Sequence, residues 1–200
     1  MRDEAKWDAR YSEPTFVWSA EPNRFVAEQL ADRAPRGRAL DLACGEGRNA
    51  VWLAQRGWDT VGVDLSAVGL AKAAELAEAR GVEVAWTHAD LAEYVPEESA
   101  FDVVVIAYLH TEPETQRLTF ERAAASVAPG GVLVAVGHDR ANLDHGYGGP
   151  QDPSVLWTVD AVVDALGGLA IEEATCVRRP VQGGEHVAID TLVRAVRRHG

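Results

Sequence analysis

The chain has 200 residues, of which 47% are hydrophobic and 25% are charged. This size and balance are typical of one globular domain, so we expect residues 1–200 to form a single domain. The formal net charge is -12, and the densest basic groups are two or three arginines within residues 178–179 and 194–198. Such a chain would repel a phosphate backbone, which disfavours a nucleic-acid partner.

The two cysteines, Cys44 and Cys176, are too few for a disulfide framework and too far apart in sequence for a zinc motif. They favour a reducing compartment, and we expect no bound metal. No run of about 18 apolar residues occurs, and no apolar stretch follows the charged N-terminal residues. The sequence therefore predicts a cytoplasmic protein with no membrane partner.

Short apolar runs alternate with segments of helical periodicity from residue 38 onward. Strands are predicted at residues 38–43, 60–64, 83–87, 101–107 and 132–137. Helices are predicted at residues 48–56, 67–80, 112–127 and 158–166. This alternation is typical of βα units around a parallel sheet, so it predicts an α/β fold.

Residues with special backbone roles mark the ends of the predicted helices. Ser66 is predicted to cap the second helix and Gly81 to end it, while Thr158 is predicted to cap the fourth. Residues 129–131 (PGG) are predicted to end the third helix and to turn the chain into the next strand.

Three segments differ from the regular βα pattern. Residues 1–20 carry several aromatic side chains and do not look like part of the core framework. Residues 138–153 predict a long polar loop, and such loops are usually functional or disordered. The last two strands, near residues 170–178 and 187–196, are predicted to form an antiparallel hairpin joined by the turn-rich residues 180–184.

The most informative stretch is residues 40–50 (LDLACGEGRNA), a hydrophobic strand that leads into a glycine loop and then into a helix. Gly45 and Gly47 lack Cβ atoms, so the chain can turn sharply there. A nucleotide-like ligand can then lie against the loop, beside the free N–H groups of the helix. The spacing of Gly45, Gly47 and Ala50 also satisfies the dinucleotide fingerprint, so an NAD site has to be considered.

Two carboxylates help to choose between nucleotide ligands. Asp64, at the end of the second strand, can accept hydrogen bonds from ribose hydroxyls of either NAD or S-adenosylmethionine (SAM). Asp41, four residues before Gly45, would place a negative charge beside the pyrophosphate of NAD. SAM carries a sulfonium and an ammonium group and no phosphate, so the same charge would stabilise it. Asp41 therefore favours SAM.

Five motifs resemble those of the class I SAM-dependent methyltransferases. They are residues 41–47 (DLACGEG), 63–66 (VDLS), 88–91 (HADL), 101–104 (FDVV) and 128–131 (APGG). Residues 7–11 (WDARY) and 17–19 (VWS) resemble the tellurite-resistance and thiopurine methyltransferase subgroup. The resemblance implies a Rossmann-like three-layer sandwich with a seven-stranded, mostly parallel sheet of order 3-2-1-4-5-7-6, whose seventh strand is antiparallel.

The resemblance also implies which residues bind the cofactor. They are Trp18, Asp41, Ala43, Gly45, Gly47, Asp64, Leu65, Asp90, Leu91 and Ala107. The loop from Asp41 to Gly47 would hold the methionine part, Asp64 the ribose and Asp90 the adenine amino group. Residues 1–20 would cover the cofactor and the substrate.

Four of these residues have narrower implied roles. Leu91 would donate its backbone N–H to the adenine ring, and Leu65 would line one adenine face. Ala107 would border the transferable methyl group, and Trp18 would cover the methionine end. Two alternatives stay open: Trp18 can be a surface anchor that packs on the core, and Asp90 can simply cap the helix that follows it.

Candidate catalytic residues follow the fourth and fifth strands, where open α/β sheets place their substrate sites. They are Tyr108, His110 and His138. Methyl transfer is an in-line displacement at carbon, so a protonated nucleophile must be aligned and must lose its proton. A histidine titrates near neutrality and can accept it. His110, at a strand end, can instead be a structural residue that is hydrogen-bonded to a loop.

The expected function is transfer of a methyl group from SAM to a sulfur, nitrogen or oxygen atom of a small molecule. A chain of this size has few insertions with which to recognise a macromolecule. Two alternatives stay open. One is a SAM-binding module without catalysis, and the other is an NAD-dependent oxidoreductase, which Asp41 and the lack of a Tyr-x-x-x-Lys pair disfavour.

Overall fold

A computed structural model describes residues 4–199, so the first three residues of the predicted covering segment 1–20 and Gly200 lie outside the described residues. The strands are β1 (Arg38–Leu42), β2 (Asp59–Asp64), β3 (Ala85–His88), β4 (Phe101–Ala107), β5 (Val127–His138), β6 (Ala170–Val181) and β7 (His186–Val196). The helices are α1 (Glu4–Tyr11), α2 (Arg24–Gln29), α3 (Arg48–Gln55), α4 (Ala67–Arg80), α5 (Pro113–Ser126), α6 (Asn142–His145) and α7 (Val159–Ala165).

The seven strands form one sheet of order β3-β2-β1-β4-β5-β7-β6. Strand β7 is antiparallel to β5 and β6, and the other neighbouring strands pair in parallel. The predicted fold class, strand order and antiparallel last strand are therefore confirmed.

Alternate residues of the central strands are buried on opposite faces of the sheet. Leu40 and Val104 pack in a cluster that includes residues of α5 and α7. Their neighbours Ala39 and Val103 pack in a second cluster that includes residues of α2 and α3. Because both faces are covered, these strands read as continuous apolar runs in the sequence.

The predicted helix caps are confirmed. The Gly69 N–H donates to Ser66 Oγ (3.0 Å) at the start of α4, and Gly81 ends that helix with a φ of 67°. The Ala161 N–H donates to Thr158 Oγ1 (3.2 Å) at the start of α7. These side chains satisfy N–H groups that the first turn of a helix leaves unpaired.

The predicted turn at residues 129–131 is wrong in one respect, because this segment is part of β5. The register jumps from Phe101–Val127 to Val103–Val132, so the intervening residues bulge out of the strand. The end of β7 supplies their backbone partners: Gly130 donates to the Arg197 carbonyl (2.7 Å). Tertiary pairing thus extends a strand through a Pro-Gly-Gly sequence that locally favours a turn.

The β6–β7 hairpin is longer than predicted. Strand β6 continues to Val181, and a short 3-10 turn at Gln182–Gly184 leads into β7. Pro180 therefore lies in a strand, opposite Val187. Strand β6 is at the edge of the sheet, so one of its sides has no partner strand. A proline is tolerated in an edge strand because an N–H on that outer side is not needed for pairing.

The predicted loop at residues 138–153 is held against the sheet. His138 is the last residue of β5, and α6 begins four residues later. The buried side chain of Asn142 accepts a hydrogen bond from the Ile189 N–H (2.7 Å) and donates one to the Gly148 carbonyl (2.8 Å). Among residues 4–199, no helix is both long and apolar enough to span a membrane.

Candidate cofactor and acceptor site

The glycine loop joins β1 to α3 through backbone conformations that favour glycine. Gly45 and Gly47 have φ values of 54° and 80°, and Ala43 has a φ of 57°. A Cβ on Gly47 would lie 2.6 Å from the Ala73 Cβ. The loop therefore needs glycine at position 47 both for its backbone angle and for the close approach of α4.

Asp64 connects the loops that follow β1 and β2. Its side chain accepts hydrogen bonds from the Gly45 N–H (2.7 Å) and the Ser66 N–H (2.8 Å). Burial is the largest influence on this carboxyl and raises its pKa, while these backbone hydrogen bonds lower it. The residue predicted to hold the ribose thus also fixes the glycine loop.

Asp41 is completely buried at the end of β1. The Ala50 N–H donates to its Oδ2 (3.0 Å), but Oδ1 has no hydrogen-bond partner among residues 4–199. Burial raises the Asp41 pKa to about 7. An unpaired buried carboxylate oxygen is costly unless a cation or donor reaches it. The negative charge of Asp41 would attract the ammonium group of SAM and repel a phosphate.

Helix α1 covers the glycine loop. Tyr11 is 5% exposed and stacks on Trp7, with ring centroids 5.6 Å apart. A Cβ on Gly45 would lie 2.7 Å from the Tyr11 hydroxyl oxygen. The Ser66 hydroxyl donates to Asp8 Oδ1 (2.5 Å) and joins α1 to the start of α4. Tyr11 was not among the predicted site residues, although its spacing of four from Trp7 places both rings on one helical face.

Glu46 fixes the segment that follows α1. Its buried carboxylate accepts hydrogen bonds from the Val17 N–H (2.9 Å) and the Trp18 N–H (3.3 Å). Lys72 forms an ion pair with Glu46 (2.7 Å) and also donates to the Glu13 and Thr15 carbonyls. The sequence interpretation missed Glu46, whose acidic side chain inside a glycine loop was a signal.

The backbone of Trp18 is held by Glu46, while the residue as a whole is 45% exposed. The guanidinium carbon of Arg10 lies 4.9 Å from the ring centroid, a cation–π contact. The ring therefore lies beside α1 at the surface, and its covering role remains a prediction.

The residues predicted around the adenine lie after β2 and β3. Asp90 Oδ1 accepts a hydrogen bond from the Ala92 N–H (2.9 Å) within a turn, and no helix lies in the described residues between β3 and β4, so the helix-capping alternative is wrong. The Leu91 side chain belongs to the core, and Leu65 is half-buried with its carbonyl 2.7 Å from His88 Nε2. Ala107 is half-buried at the end of β4. Apart from Trp18, the predicted cofactor residues thus lie at or just after the ends of four adjacent strands, β3-β2-β1-β4.

A polar cluster forms at the ends of β4 and β5, around the buried carboxylate of Asp190. The Tyr108 hydroxyl donates to Asp190 Oδ2 (2.8 Å), and so does Arg179 Nε (2.7 Å). His138 Nδ1 lies 3.2 Å from Oδ1, an ion-pair distance that lacks hydrogen-bond alignment. Burial alone would raise the Asp190 pKa, but contacts with His138, Arg179 and Tyr108 lower it.

Asp190 and Arg179 were not predicted as site residues. The signal was an aspartate inside the apolar run of residues 187–193 (VAIDTLV), because a charge on a buried strand requires partners. Burial raises the pKa of Tyr108, whose backbone has a φ of 60°. Tyr108 is therefore a neutral hydrogen-bond donor, and it shares Asp190 with His138.

His110 lies beside His138 but has both ring nitrogens occupied. Its Nδ1 is 3.0 Å from the Val155 carbonyl, and its Nε2 accepts from the His138 N–H (3.3 Å). Burial lowers the His110 pKa to about 4. The two imidazole rings are stacked with centroids 5.4 Å apart. This geometry suits a neutral residue that holds the backbone of His138 and Val155 in place, and it leaves no ring nitrogen free to act as a base.

Comparison with known proteins identifies a methyltransferase domain at residues 39–131. The 2-heptyl-1-hydroxyquinolin-4(1H)-one methyltransferase of Mycobacteroides abscessus is 27% identical over 74% of this chain and 71% of that protein. The demethylmenaquinone methyltransferase of Thermus thermophilus is 37% identical over 56% of this chain and 52% of that protein. A ribosomal RNA small subunit methyltransferase C of Alcanivorax borkumensis is 34% identical, over 48% of this chain and 31% of that protein.

Solved structures of other proteins superpose on most of this chain. TehB of Haemophilus influenzae superposes with a TM-score of 0.71 at 15% identity, covering 98% of this chain and 67% of that one. Magnesium protoporphyrin IX methyltransferase of Synechocystis, with bound S-adenosylhomocysteine (SAH), gives 0.65 at 20% identity, covering 86% of this chain and 80% of that one. The methyltransferase domain at residues 39–131, the methyltransferase relatives and the structural neighbours together support assignment to the class I SAM-dependent methyltransferases, with SAM as the cofactor.

Proposed function

We propose that this protein transfers the SAM methyl group to a sulfur, nitrogen or oxygen atom of a small molecule. The observation that carries the cofactor site is the buried, unpaired Oδ1 of Asp41 beside the glycine loop. Bound SAM supplies an electrophilic methyl on its sulfonium. Asp41 faces the ammonium end in this proposal, Asp64 the ribose, and the N–H groups of residues 45–47 the remaining polar atoms.

His138 accepts the proton of the acceptor in this proposal. Asp190 faces its Nδ1, so the proton on that nitrogen is stabilised and Nε2 is left as the basic atom. Nε2 makes no hydrogen bond to any residue from 4 to 199, and the side chain is 14% exposed. Amine and hydroxyl acceptors need this step, whereas a thiol that arrives as the thiolate does not.

A small acceptor is supported by the size and charge of the chain. A chain of 200 residues with this fold has few insertions with which to recognise a macromolecule. The net charge of -12 disfavours RNA. The ribosomal RNA relative matches only about half of this chain, whereas the hydroxyquinolinone relative matches 74% of it. The two free cysteines fit the reducing environment of the cytoplasm.

Calorimetric titration with SAM, SAH and NAD tests the cofactor site. Wild-type protein is expected to bind SAM and SAH, and not NAD. Asp64→Ala is expected to weaken both sulfur ligands by about tenfold or more, because a carboxylate acceptor of ribose hydroxyls is lost. Asp59→Ala, at the exposed opposite end of β2, is the matched control and should bind as wild type. Binding of NAD in place of SAM would contradict the assignment.

Turnover separates the enzyme from a binding module without catalysis. Purified protein with SAM is incubated with panels of thiols, amines and phenols, and SAH formation is measured. Product with any panel member excludes the binding module. A protein that binds SAM but forms no SAH with any of the three panels would contradict the proposed acceptors.

A further inference from the structure

Gly149, in the loop that follows β5, lies against the imidazole ring of His138. A Cβ on Gly149 would lie 2.8 Å from His138 Cδ2 and 2.9 Å from both Cγ and Nε2. Because these distances to three neighbouring ring atoms are nearly equal, that Cβ would stand over the face of the ring and not at its edge. The backbone of Gly149 therefore covers a face of the imidazole, and a side chain at this position would displace the ring.

The orientation of the His138 ring depends on packing of this kind. Within residues 4–199, neither ring nitrogen makes an aligned hydrogen bond, although Nδ1 faces Asp190 Oδ1 at 3.2 Å. The His110 ring stacks on the imidazole, and the Tyr108 ring meets it edge-on with centroids 5.2 Å apart. Packing of neighbouring groups, Gly149 among them, thus determines where Nε2 points.

A stacked aromatic pair holds the loop in this position. The Tyr147 ring lies flat on the His186 ring, with centroids 3.9 Å apart and planes inclined by 2°. His186 is the first residue of β7. Residues an even number apart project from the same face of a strand, so His186 lies on the same face as Asp190. Strand β7 therefore supplies both the carboxylate opposite His138 and the anchor of the loop that covers its ring.

The loop needs such an anchor because two glycines follow Tyr147. Gly148 and Gly149 have φ values of 73° and 77°, and glycine loses more conformational freedom on ordering than any other residue. Asn142 fixes the first of them by donating to the Gly148 carbonyl (2.8 Å). Tyr147 is 41% exposed and His186 is exposed as well, so their stack adds little to the core. Its main effect is to join the loop to β7.

We propose that Tyr147 and His186 are positioning residues, whose stack keeps Gly149 over the His138 ring and so holds Nε2 in place for the acceptor. This inference rests on the proposed role of His138 in methyl transfer. The two residues act through His138 and do not contact the acceptor. A ring that turns freely presents Nε2 to the acceptor for a smaller part of the time, which slows removal of the proton.

The test compares Tyr147→Ala and His186→Ala, which remove the stack, with Tyr147→Phe, which keeps it. His145→Ala is the matched control, because His145 is an exposed residue two positions before Tyr147 and outside the stack. Thermal melts check that each variant is folded. Both variants without the stack should lower kcat for a phenol acceptor by about tenfold. Their kcat for a thiol supplied above its pKa, and their KM for SAM, should stay unchanged. Tyr147→Phe and the control should behave as wild type.

Modification of His138 by diethylpyrocarbonate gives a readout that does not depend on turnover. Trypsin releases His138 in the peptide of residues 123–140 and His145 in that of residues 141–178, each as the one histidine of its peptide. Mass spectrometry can therefore follow the two residues separately. Loss of the stack should make His138 react severalfold faster, because the face of its ring is uncovered, and should leave the rate at His145 unchanged.

Four results would overturn the proposal. A higher kcat/KM without the stack would mean that the loop obstructs the acceptor, and an equal rise in KM for phenol and thiol would mean that Tyr147 binds it. Equal losses of kcat with both acceptors would mean that the stack only supports the fold. An unchanged rate of His138 modification would mean that the stack does not hold the ring. A wild-type protein that binds SAM but forms no SAH contradicts the proposed function instead, and the modification rate alone then tests the stack.

Discussion

Asp190 and His138 are cross-strand partners, directly opposite each other where β7 pairs with β5, with Oδ1 and Nδ1 3.2 Å apart. This pairing predicts the effect of Asp190→Asn on catalysis. A neutral amide cannot stabilise a protonated imidazole, so kcat for an amine or phenol acceptor should fall by about tenfold or more. The KM for SAM should change little, because Asp190 lies outside the glycine loop.

A thiol acceptor supplied above its own pKa distinguishes this role from structural damage. It needs no base, so Asp190→Asn and His138→Gln should both retain most of their activity with it. Equal losses with thiol and phenol acceptors would mean that the cluster only supports the fold.

Asp41→Asn is expected to stabilise the protein while weakening cofactor binding. The folded-state pKa of about 7 lies above the ordinary value of 3.8, so the folded state holds the proton more tightly than the unfolded state. Wild-type stability from this group is greatest at low pH and is lost as the pH rises towards 7, by up to about 4 kcal/mol. The variant avoids this loss, so its advantage in urea unfolding should be larger at pH 8 than at pH 5. A variant less stable than wild type at pH 8 contradicts the assigned burial cost.

His110 is expected to make the protein sensitive to acid. Its folded-state pKa of about 4 lies below 6.5, so the unfolded state binds the proton first and stability falls as the pH drops from 6.5 towards 4. Between pH 7 and pH 5 this loss amounts to about 2 kcal/mol. His110→Gln should show a smaller loss over that range in urea unfolding, and His145→Gln, at an exposed site, should behave as wild type. An unchanged pH dependence in His110→Gln would show that the residue is not held neutral.

Lys72→Met is expected to loosen the covering segment. The Lys72 ammonium joins Glu46 to the Glu13 and Thr15 carbonyls, and methionine removes all three contacts. Cleavage by trypsin after the exposed Arg10 should become faster by severalfold, whereas Lys72→Arg should retain most of the protection. We also expect SAH to slow this cleavage, because the segment covers the cofactor loop. Equal cleavage rates with and without SAH would contradict ordering of the segment by the ligand.

Local sequence determined the framework of this protein. Apolar runs formed strands because both faces of the parallel part of the sheet are covered. Ser66 and Thr158 begin helices because their side chains accept hydrogen bonds from the first turn, and Gly81 ends a helix because glycine adopts a positive φ without strain. The glycine loop, Asp41 and Asp64 were recognisable because they belong to one βαβ unit, in which sequence spacing largely sets the spacing in the structure.

Tertiary structure alone decided the acceptor cluster and the role of several side chains. Asp190 meets His138 because β7 inserts in antiparallel direction between β5 and β6, a pairing that joins residues 52 positions apart. Strand pairing also gave Pro-Gly-Gly a place in β5, and burial next to Val155 and His138 lowers the pKa of His110. The protonation state and hydrogen-bond partners of a buried side chain depend on which strands become neighbours. The order of the strands is determined by the whole chain and not by the residues next to that side chain.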